Sequence, residues 1–269
     1  MKDFIISQKN NIWFGSFPLL TEAGFTNACS CRLHGESAVV SGTLNLALHV
    51  GDEPELVLRN RERFAQAIGV EAKRLTTCAQ VHGSEVAVVD ETLMGAGAFA
   101  LADTVAGTDA LITKLPEVPL LLFYADCVPV LLADTKSGAV GLAHAGWRGT
   151  VAQIVRRTVQ AMADSFGTQA QDIAAAIAPS IGQCCYEVDD FVRDKARGYE
   201  EFFAPAAEEG KYMLDLWGYN KRQLLEAGVL PEKIAVAEVC TAHNHELFCS
   251  YRAEAGRTGR MGVCIMARK

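Results

Sequence analysis

Residues 109–149, DALITKLPEVPLLLFYADCVPVLLADTKSGAVGLAHAGWRG, decide the fold class. Four apolar runs lie in this stretch, Ala110 to Thr113, Leu120 to Tyr124, Val128 to Ala133 and Ala139 to Ala143. Each is too short for a helix and is bounded by turn residues, so they are expected as buried strands. Asp134 to Gly138, DTKSG, has the composition of a tight connection and predicts that the last two runs pair as a hairpin. On the N-terminal side, Glu55 to Ile68 has helical spacing, with Leu56, Phe64 and Ile68 apolar, Pro54 ahead and Gly69 behind. On the C-terminal side a second helix is expected over Thr150 to Phe166, with an apolar stripe from Val151 to Met162 and a stop at Gly167. Ile173 to Ala178, Ile234 to Val239 and Leu247 to Arg252 add expected strands, and short helices are expected near Val188 to Lys195 and Tyr219 to Glu226. The Gly- and Ala-rich Gly95 to Ala106 reads as a loop or mobile lid. The sum is an α/β (α+β) fold, one domain over residues 1–269, in which helices cover a layered mixed sheet.

Composition narrows the function classes. Of 269 residues half are apolar, enough for a large core, and the formal net charge is −7 with Lys and Arg scattered, which argues against nucleic acid as a partner. The start MKDFIISQKNNIWF lacks the features of a secretory signal and no later run reaches membrane-spanning length, so a cytoplasmic location without membrane contact is expected. Nine cysteines, an odd count, are then expected as reduced thiols rather than a disulfide framework.

Polar residues concentrate at three strand ends: Gln80-Val81-His82-Gly83, Ala125-Asp126-Cys127-Val128-Pro129 and His144-Ala145-Gly146-Trp147-Arg148-Gly149. Imidazole and thiolate suit zinc, and His82, Cys127 and His144 together would leave a fourth position open for chemistry. Their separations, 45 and 17 residues, match no local zinc-binding pattern. The residues alone therefore leave open that the two imidazoles satisfy backbone carbonyls and that Cys127 packs in the core. Cys184 and Cys185 are contiguous, and adjacent side chains rarely share one tetrahedral ion. His34, His243 and His245 read as loop or rim residues.

The chain resembles the laccase-domain family, whose members are described both as polyphenol oxidoreductases and as purine nucleoside phosphorylases. The likeness is carried by SGTLNLALHVGD at 41–52, QVHG at 80–83, GTDALITK at 107–114, ADCVPVLLAD at 125–134, HAGWRG at 144–149, IAPSIGQCCYEV, LDLWGYNKRQL and SYRAEAGRTGRMG. It implies that the VHG, ADC and HAGWRG positions, His82, Cys127 and His144, bind zinc (copper being the less favoured metal) and act in catalysis; Asp126, directly before the thiolate, is a candidate to orient a ligand or act as a base, or equally to cap the backbone. Asn45 and His49 lie in the segment resembling the family's early site loop and are candidate substrate contacts, and the Arg148 and Arg252 guanidinium groups are available for a phosphate or carboxylate or for a structural role. The chain departs from the family pattern at Ala253, where a second arginine is frequent, and at Gln183 in place of proline.

The implied reaction is phosphorolysis of adenosine, inosine and methylthioadenosine, with adenosine deamination as a side activity, in a monomer or homodimer. The alternative is zinc-assisted amide hydrolysis that removes L-Ser from UDP-MurNAc-L-Ser, as in peptidoglycan editing. Laccase chemistry needs several coppers held by imidazoles, and six histidines with one H-x-H segment, His243-Asn244-His245, are a meagre supply. A nucleobase deaminase of the H-x-E and P-C-x-x-C type is excluded because no P-C-x-x-C occurs to supply its two thiolates. A non-enzymatic module with structural zinc would need a fourth protein ligand such as Cys78 or Cys185.

Overall fold

Two β-sheets packed face to face, with helices on both outer faces, set the frame in a computed structural model that describes residues 3–268. The chain enters through strands β1 (Ile5–Lys9) and β2 (Ile12–Ser16), a short helix α1 (Pro18–Glu22) and strand β3 (Phe25–Ser30). Helix α2 (Pro54–Ile68) follows, then β4 (Val86–Val88), β5 (Ala110–Thr113), β6 (Leu120–Tyr124), β7 (Val128–Asp134) and β8 (Val140–Ala145). Helices α3 (Trp147–Val151) and α4 (Ile154–Phe166) lead to β9 (Ile173–Ile177), β10 (Glu187–Asp189) and α5 (Asp190–Arg193). The chain closes with β11 (Phe203–Pro205), β12 (Lys211–Leu214), α6 (Leu216–Glu226), β13 (Ile234–Val236) and β14 (Met261–Ala267).

One of the two large sheets is antiparallel with order β1-β2-β3-β14-β6, the other is mixed with order β13-β9-β7-β8-β5-β4, and a small antiparallel sheet has order β10-β12-β11. Side-chain alternation explains why both sheets are covered on two faces. Along β6, Leu120, Leu122 and Tyr124 point into the core between the sheets, where they meet Leu131 and Ala133 of β7 and Val140 and Leu142 of β8. Leu121 and Phe123 point the other way, into a second core beneath α2 with Phe64 and Ala65. Val128, Val130 and Leu132 of β7 pack beneath α4 and α6 with Val155, Met162 and Tyr219. Strands buried on both faces must be apolar throughout, which is why these runs lack an alternating polar pattern.

The expected mixed α/β layering and the β7–β8 hairpin are present, and Asp134 holds the hairpin turn by accepting from the Lys136 and Ser137 backbone N–H groups and the Ser137 hydroxyl. Three expectations are corrected. The helix expected over Thr150 to Phe166 is two helices, because Gln153 takes a left-handed conformation (φ 65°) between α3 and α4. The strand expected over Leu247 to Arg252 is a run of turns. Leu247 and Phe248 donate to the Asn244 carbonyl and Glu254 donates to Ser250, so local bonds consume the groups a ladder needs. Phe248 and Cys249 are nevertheless fully buried, which gave the segment its strand-like apolarity. The first part of the segment expected as helix near Val188 is strand β10, and only α5 is helical, with Asp189 as its cap. Strands β1–β3 and β14, not anticipated from the sequence, complete the antiparallel sheet.

The Gly95 to Ala106 loop is pinned rather than free. The buried Arg61 guanidinium donates to the Leu46, Gly97 and Ala98 carbonyls at 2.7–2.8 Å, the Thr77 N–H donates to the Ala96 carbonyl, and the Val105 N–H donates to the Thr77 carbonyl. Among the described residues no helix is long and apolar enough to cross a membrane. Arg61→Leu is expected to leave three buried acceptors unpaired, to lower the unfolding free energy by at least about 1–3 kcal/mol in urea denaturation, and to speed amide exchange across residues 95–106.

Candidate metal centre and its cavity

His82, Cys127 and His144 come together from three separate segments, with their ligand atoms all within 4.8 Å of one another. Cys127 lies in the three-residue link between β6 and β7, where the chain passes from one sheet to the other, and His144 is near the end of β8. His82 sits in a loop with φ 59°, a conformation rarely adopted by a non-glycine residue and held here by its surroundings. The holder is Asp109. Its carboxylate, fully buried, accepts from the backbone N–H groups of Val81, His82 and Gly83 (3.2, 2.9 and 2.6 Å) and lies 2.8 Å from His144 Nδ1. An ionised carboxylate only accepts, so Nδ1 carries the proton and Nε2 remains as the ligand atom.

Other groups fix the same geometry. The Gln80 amide bonds both backbone groups of Phe123, fastening the His82 loop to β6. The Tyr124 hydroxyl donates to the Ala143 carbonyl and its ring flanks His144 at 5.4 Å. The two glycines of HAGWRG allow close approach: a Cβ on Gly146 would lie 2.9 Å from Cys127 Sγ, and one on Gly149 would lie 2.8 Å from the Gly83 carbonyl.

Electrostatics favour a thiolate beside imidazole. Burial raises the Cys127 pKa, but the charge and hydrogen bond of His144 and those of His82 outweigh it and bring the thiol down to about 6. Burial lowers the pKa of His144, yet the Cys127 thiolate and the Asp109 carboxylate raise it to about 9. Asp109 stays below the usual carboxylate range because its bonds to His144 and the loop N–H groups overcome its desolvation. Two imidazoles and a thiolate form a donor set suited to zinc, and copper is chemically compatible.

The trio forms part of the wall of a cavity of about 550 Å³, within the size range of small-molecule sites. Arg148, Arg252 and Arg260 line it together with Phe123, Tyr186 and Tyr251. A profile of the family described as multi-copper polyphenol oxidoreductase laccase matches residues 26–268. The chain belongs to this family. Among family relatives, the purine nucleoside phosphorylase YlmD of Geobacillus stearothermophilus is 40% identical over 251 residues, 92% of each chain. An adenosine deaminase, RL5, from an unknown prokaryotic organism is 34% identical over 221 residues, 81% of this chain and 84% of that one. The crystal structure of YlmD from G. stearothermophilus superposes with a TM-score of 0.91 at 38% identity, covering 98% of this chain and 99% of that one.

Of the remaining sequence-predicted residues, Arg148, Arg252, Asp126 and His49 line the cavity. Arg148 stacks over Trp147 at 4.6 Å. Arg252 is tied at the rim by its guanidinium to the Cys185 and Glu187 carbonyls. Asp126 is committed on both oxygens, to the Thr241 hydroxyl and the Arg252 backbone N–H. His49 faces Phe123 edge-on and is pushed down to about 4, first by desolvation of the ring and then by the charges of Arg260 and Arg61, so it is neutral at neutral pH. Asn45 stands behind the wall, with no exposed surface. Its amide bonds Asp52 and both backbone groups of Ala47 and accepts from the Arg260 N–H, so it shapes the wall without facing a ligand. His34 and His245 are exposed outside the cavity. Asp109, Gln80 and Arg260 were not singled out from the sequence. Asp109 carried a signal, since an acid at the mouth of an all-apolar strand requires partners.

Asp109→Asn is expected to weaken metal binding by about 10–100-fold in chelator competition while circular dichroism shows a folded chain. In metal-stripped protein the ultraviolet thiolate absorbance assigned to Cys127, absent from Cys127→Ser, is expected to titrate near pH 6. A midpoint near 9 would show that the two imidazoles do not stabilise the thiolate.

Proposed function

We propose that the chain is a zinc-dependent purine nucleoside phosphorylase acting on adenosine, inosine and methylthioadenosine, with adenosine deamination as a side activity of the same centre. The observation that carries the proposal is the convergence, in one cavity, of an open His₂Cys donor set, arginines and aromatic walls. The relatives named purine nucleoside phosphorylase support the main activity, and the relative named adenosine deaminase supports the side activity.

Phosphorolysis breaks the C1′–N bond of the nucleoside, forms a C1′–O bond to phosphate and releases the base with a proton. The proton on the released base can come from the hydrogen phosphate dianion itself, and the phosphate, the ring and the sugar each have a matching group. Arg148 and Arg252 offer planar guanidinium forks to the phosphate dianion. The Arg252 backbone is fixed by Asp126, so this acid acts by positioning the arginine. The faces of Phe123, Tyr186 and Tyr251 suit a purine ring. Neutral His49 serves as a hydrogen-bond partner for a sugar hydroxyl or base edge rather than as a cation. Zinc held by His82, Cys127 and His144 would supply a Lewis-acidic centre for charge neutralisation or for activating water.

The test is turnover of adenosine with phosphate, followed as adenine and ribose 1-phosphate, beside adenosine alone and UDP-MurNAc-L-Ser. Phosphorolysis is expected to dominate in the wild type and to fall at least ~100-fold in Cys127→Ala, beyond the usual loss of a supporting partner. Arg148→Ala is expected to raise KM for phosphate about 10–100-fold with a smaller change in KM for adenosine. Turnover confined to UDP-MurNAc-L-Ser would replace the proposal with amide hydrolysis, and full activity in Cys127→Ala would remove the metal centre from the reaction.

A further inference from the structure

A second cluster of soft ligands lies under the rim of the cavity. Cys184 and Cys185 occupy the single turn Gln183–Cys185, and their sulfurs meet Cys240 and His243, with the four ligand atoms all within 4.8 Å of one another. Cys184 Sγ is 3.5 Å from His243 Nδ1. A tetrahedral zinc with bonds of about 2.3 Å to sulfur and 2.0–2.1 Å to nitrogen sets a sulfur–nitrogen edge of about 3.5 Å. The observed pair already has that spacing.

The backbone is also arranged for a thiolate at this point. Cys240-Thr241-Ala242-His243 has C-x-x-H spacing, the separation at which one tight turn can offer two ligands to one ion. Cys240 Sγ accepts from the Gly182 backbone N–H at 3.3 Å. Burial pushes the Cys240 pKa up, but N–H groups of Gly182, His243 and Ala242 directed at the sulfur bring it below the ordinary thiol value. Cys184 and His243 are exposed, so an ion has a path to the cluster.

We propose that Cys184, Cys185, Cys240 and His243 form a second, closed zinc site that is structural and distinct from the His82–Cys127–His144 centre. Four protein ligands leave no position for water or substrate, the arrangement of structural zinc. Three thiolates with one imidazole select a soft divalent ion over calcium or magnesium. Contiguous cysteines rarely share an ion, but the turn at Gln183–Cys185 brings both sulfurs within reach of the same point. The ion would clamp the 181–186 segment to the 240–243 turn, which come from parts of the chain 59 residues apart between Cys184 and His243. Both clamped segments hold the cavity rim: the Cys185 carbonyl accepts from the Arg252 guanidinium, and Thr241 bonds Asp126.

The experiment is zinc content of the full-length protein purified under reducing conditions, with cobalt titration of the metal-stripped chain. Wild type is expected to hold two zinc ions per chain, Cys127→Ala one, Cys184→Ser one, and the double variant none. Cobalt should add thiolate-to-metal charge transfer in two phases, and Cys127→Ala should keep the more intense phase, that of three thiolates. This cobalt readout on a variant with an intact cluster stands even if Cys184→Ser folds poorly. One zinc in wild type that vanishes in Cys127→Ala would overturn the proposal, as would a Cys184–Cys240 disulfide in the reduced protein by mass spectrometry. One zinc lost in Cys184→Ser but kept in Cys127→Ala would support this site and count against the catalytic centre.

Discussion

A carboxylate with no exposed surface needs its charge met entirely from within the protein, and Asp109 is such a group. Its acceptor capacity is filled by three successive N–H groups of the His82 loop and by the His144 imidazole. The single side chain therefore ties the mouth of β5, the 81–83 loop and the end of β8 into one unit. It holds His82 in a backbone conformation that a free loop would leave, and it sets the tautomer of His144. Without Asp109 the 81–83 loop would lose its direct tie to His144, and His82 would no longer be held in register with the other two side chains. The geometry of the candidate metal centre thus follows in large part from satisfying one buried charge.

The sandwich supplies the place for that unit. β6 belongs to the antiparallel sheet and β7 to the mixed sheet, and the connection between them is the short Ala125–Cys127 link. A link that short between packed sheets holds its residues at the seam, so Cys127 is set where the two cores part. β8 pairs with β7 so that Pro129 lies opposite His144, which brings the imidazole to the same seam. The ligands are on rigid strand ends, and only the His82 loop needs an external brace.

Much of this was legible in the sequence, for identifiable reasons. The runs from Ala110 to Ala143 read as strands because burial on both faces makes them wholly apolar, and the DTKSG turn marks its own hairpin through Asp134. Which sheet each strand joins was not legible, because it depends on β14 pairing between β3 and β6 across most of the chain. Helix α2 was visible from its apolar spacing and flanking Pro54 and Gly69, whereas the break at Gln153 left no trace because glutamine carries no helix-stop signal. Leu247 to Arg252 misled because buried turn residues and strand residues are equally apolar. In the site, the candidate trio His82, Cys127 and His144, which the fold brings together, was picked out through motif likeness. Asn45 was misplaced because an amide serving a buried turn looks, in one dimension, the same as an amide serving a ligand.

The two ligand clusters are joined by a short chain of bonds, and that gives the cavity rim its character. Asp126 adjoins Cys127 and holds both the Arg252 backbone and the Thr241 hydroxyl, while Thr241 adjoins Cys240 and the Arg252 guanidinium rests on the Cys185 carbonyl. Arg252 is thus fixed at its backbone from the His82–Cys127–His144 side and at its guanidinium from the cysteine cluster. A guanidinium on a flexible stem loses rotamer freedom when it grips an anion, and pre-ordering both of its ends removes much of that loss before the ligand arrives. Arg148, exposed and stacked only on Trp147, is not braced in this way. The two arginines therefore bring unequal entropic penalties to anion binding. In the proposed reaction Arg252 would set where the anion sits, and the less restrained Arg148 would add charge once it is there.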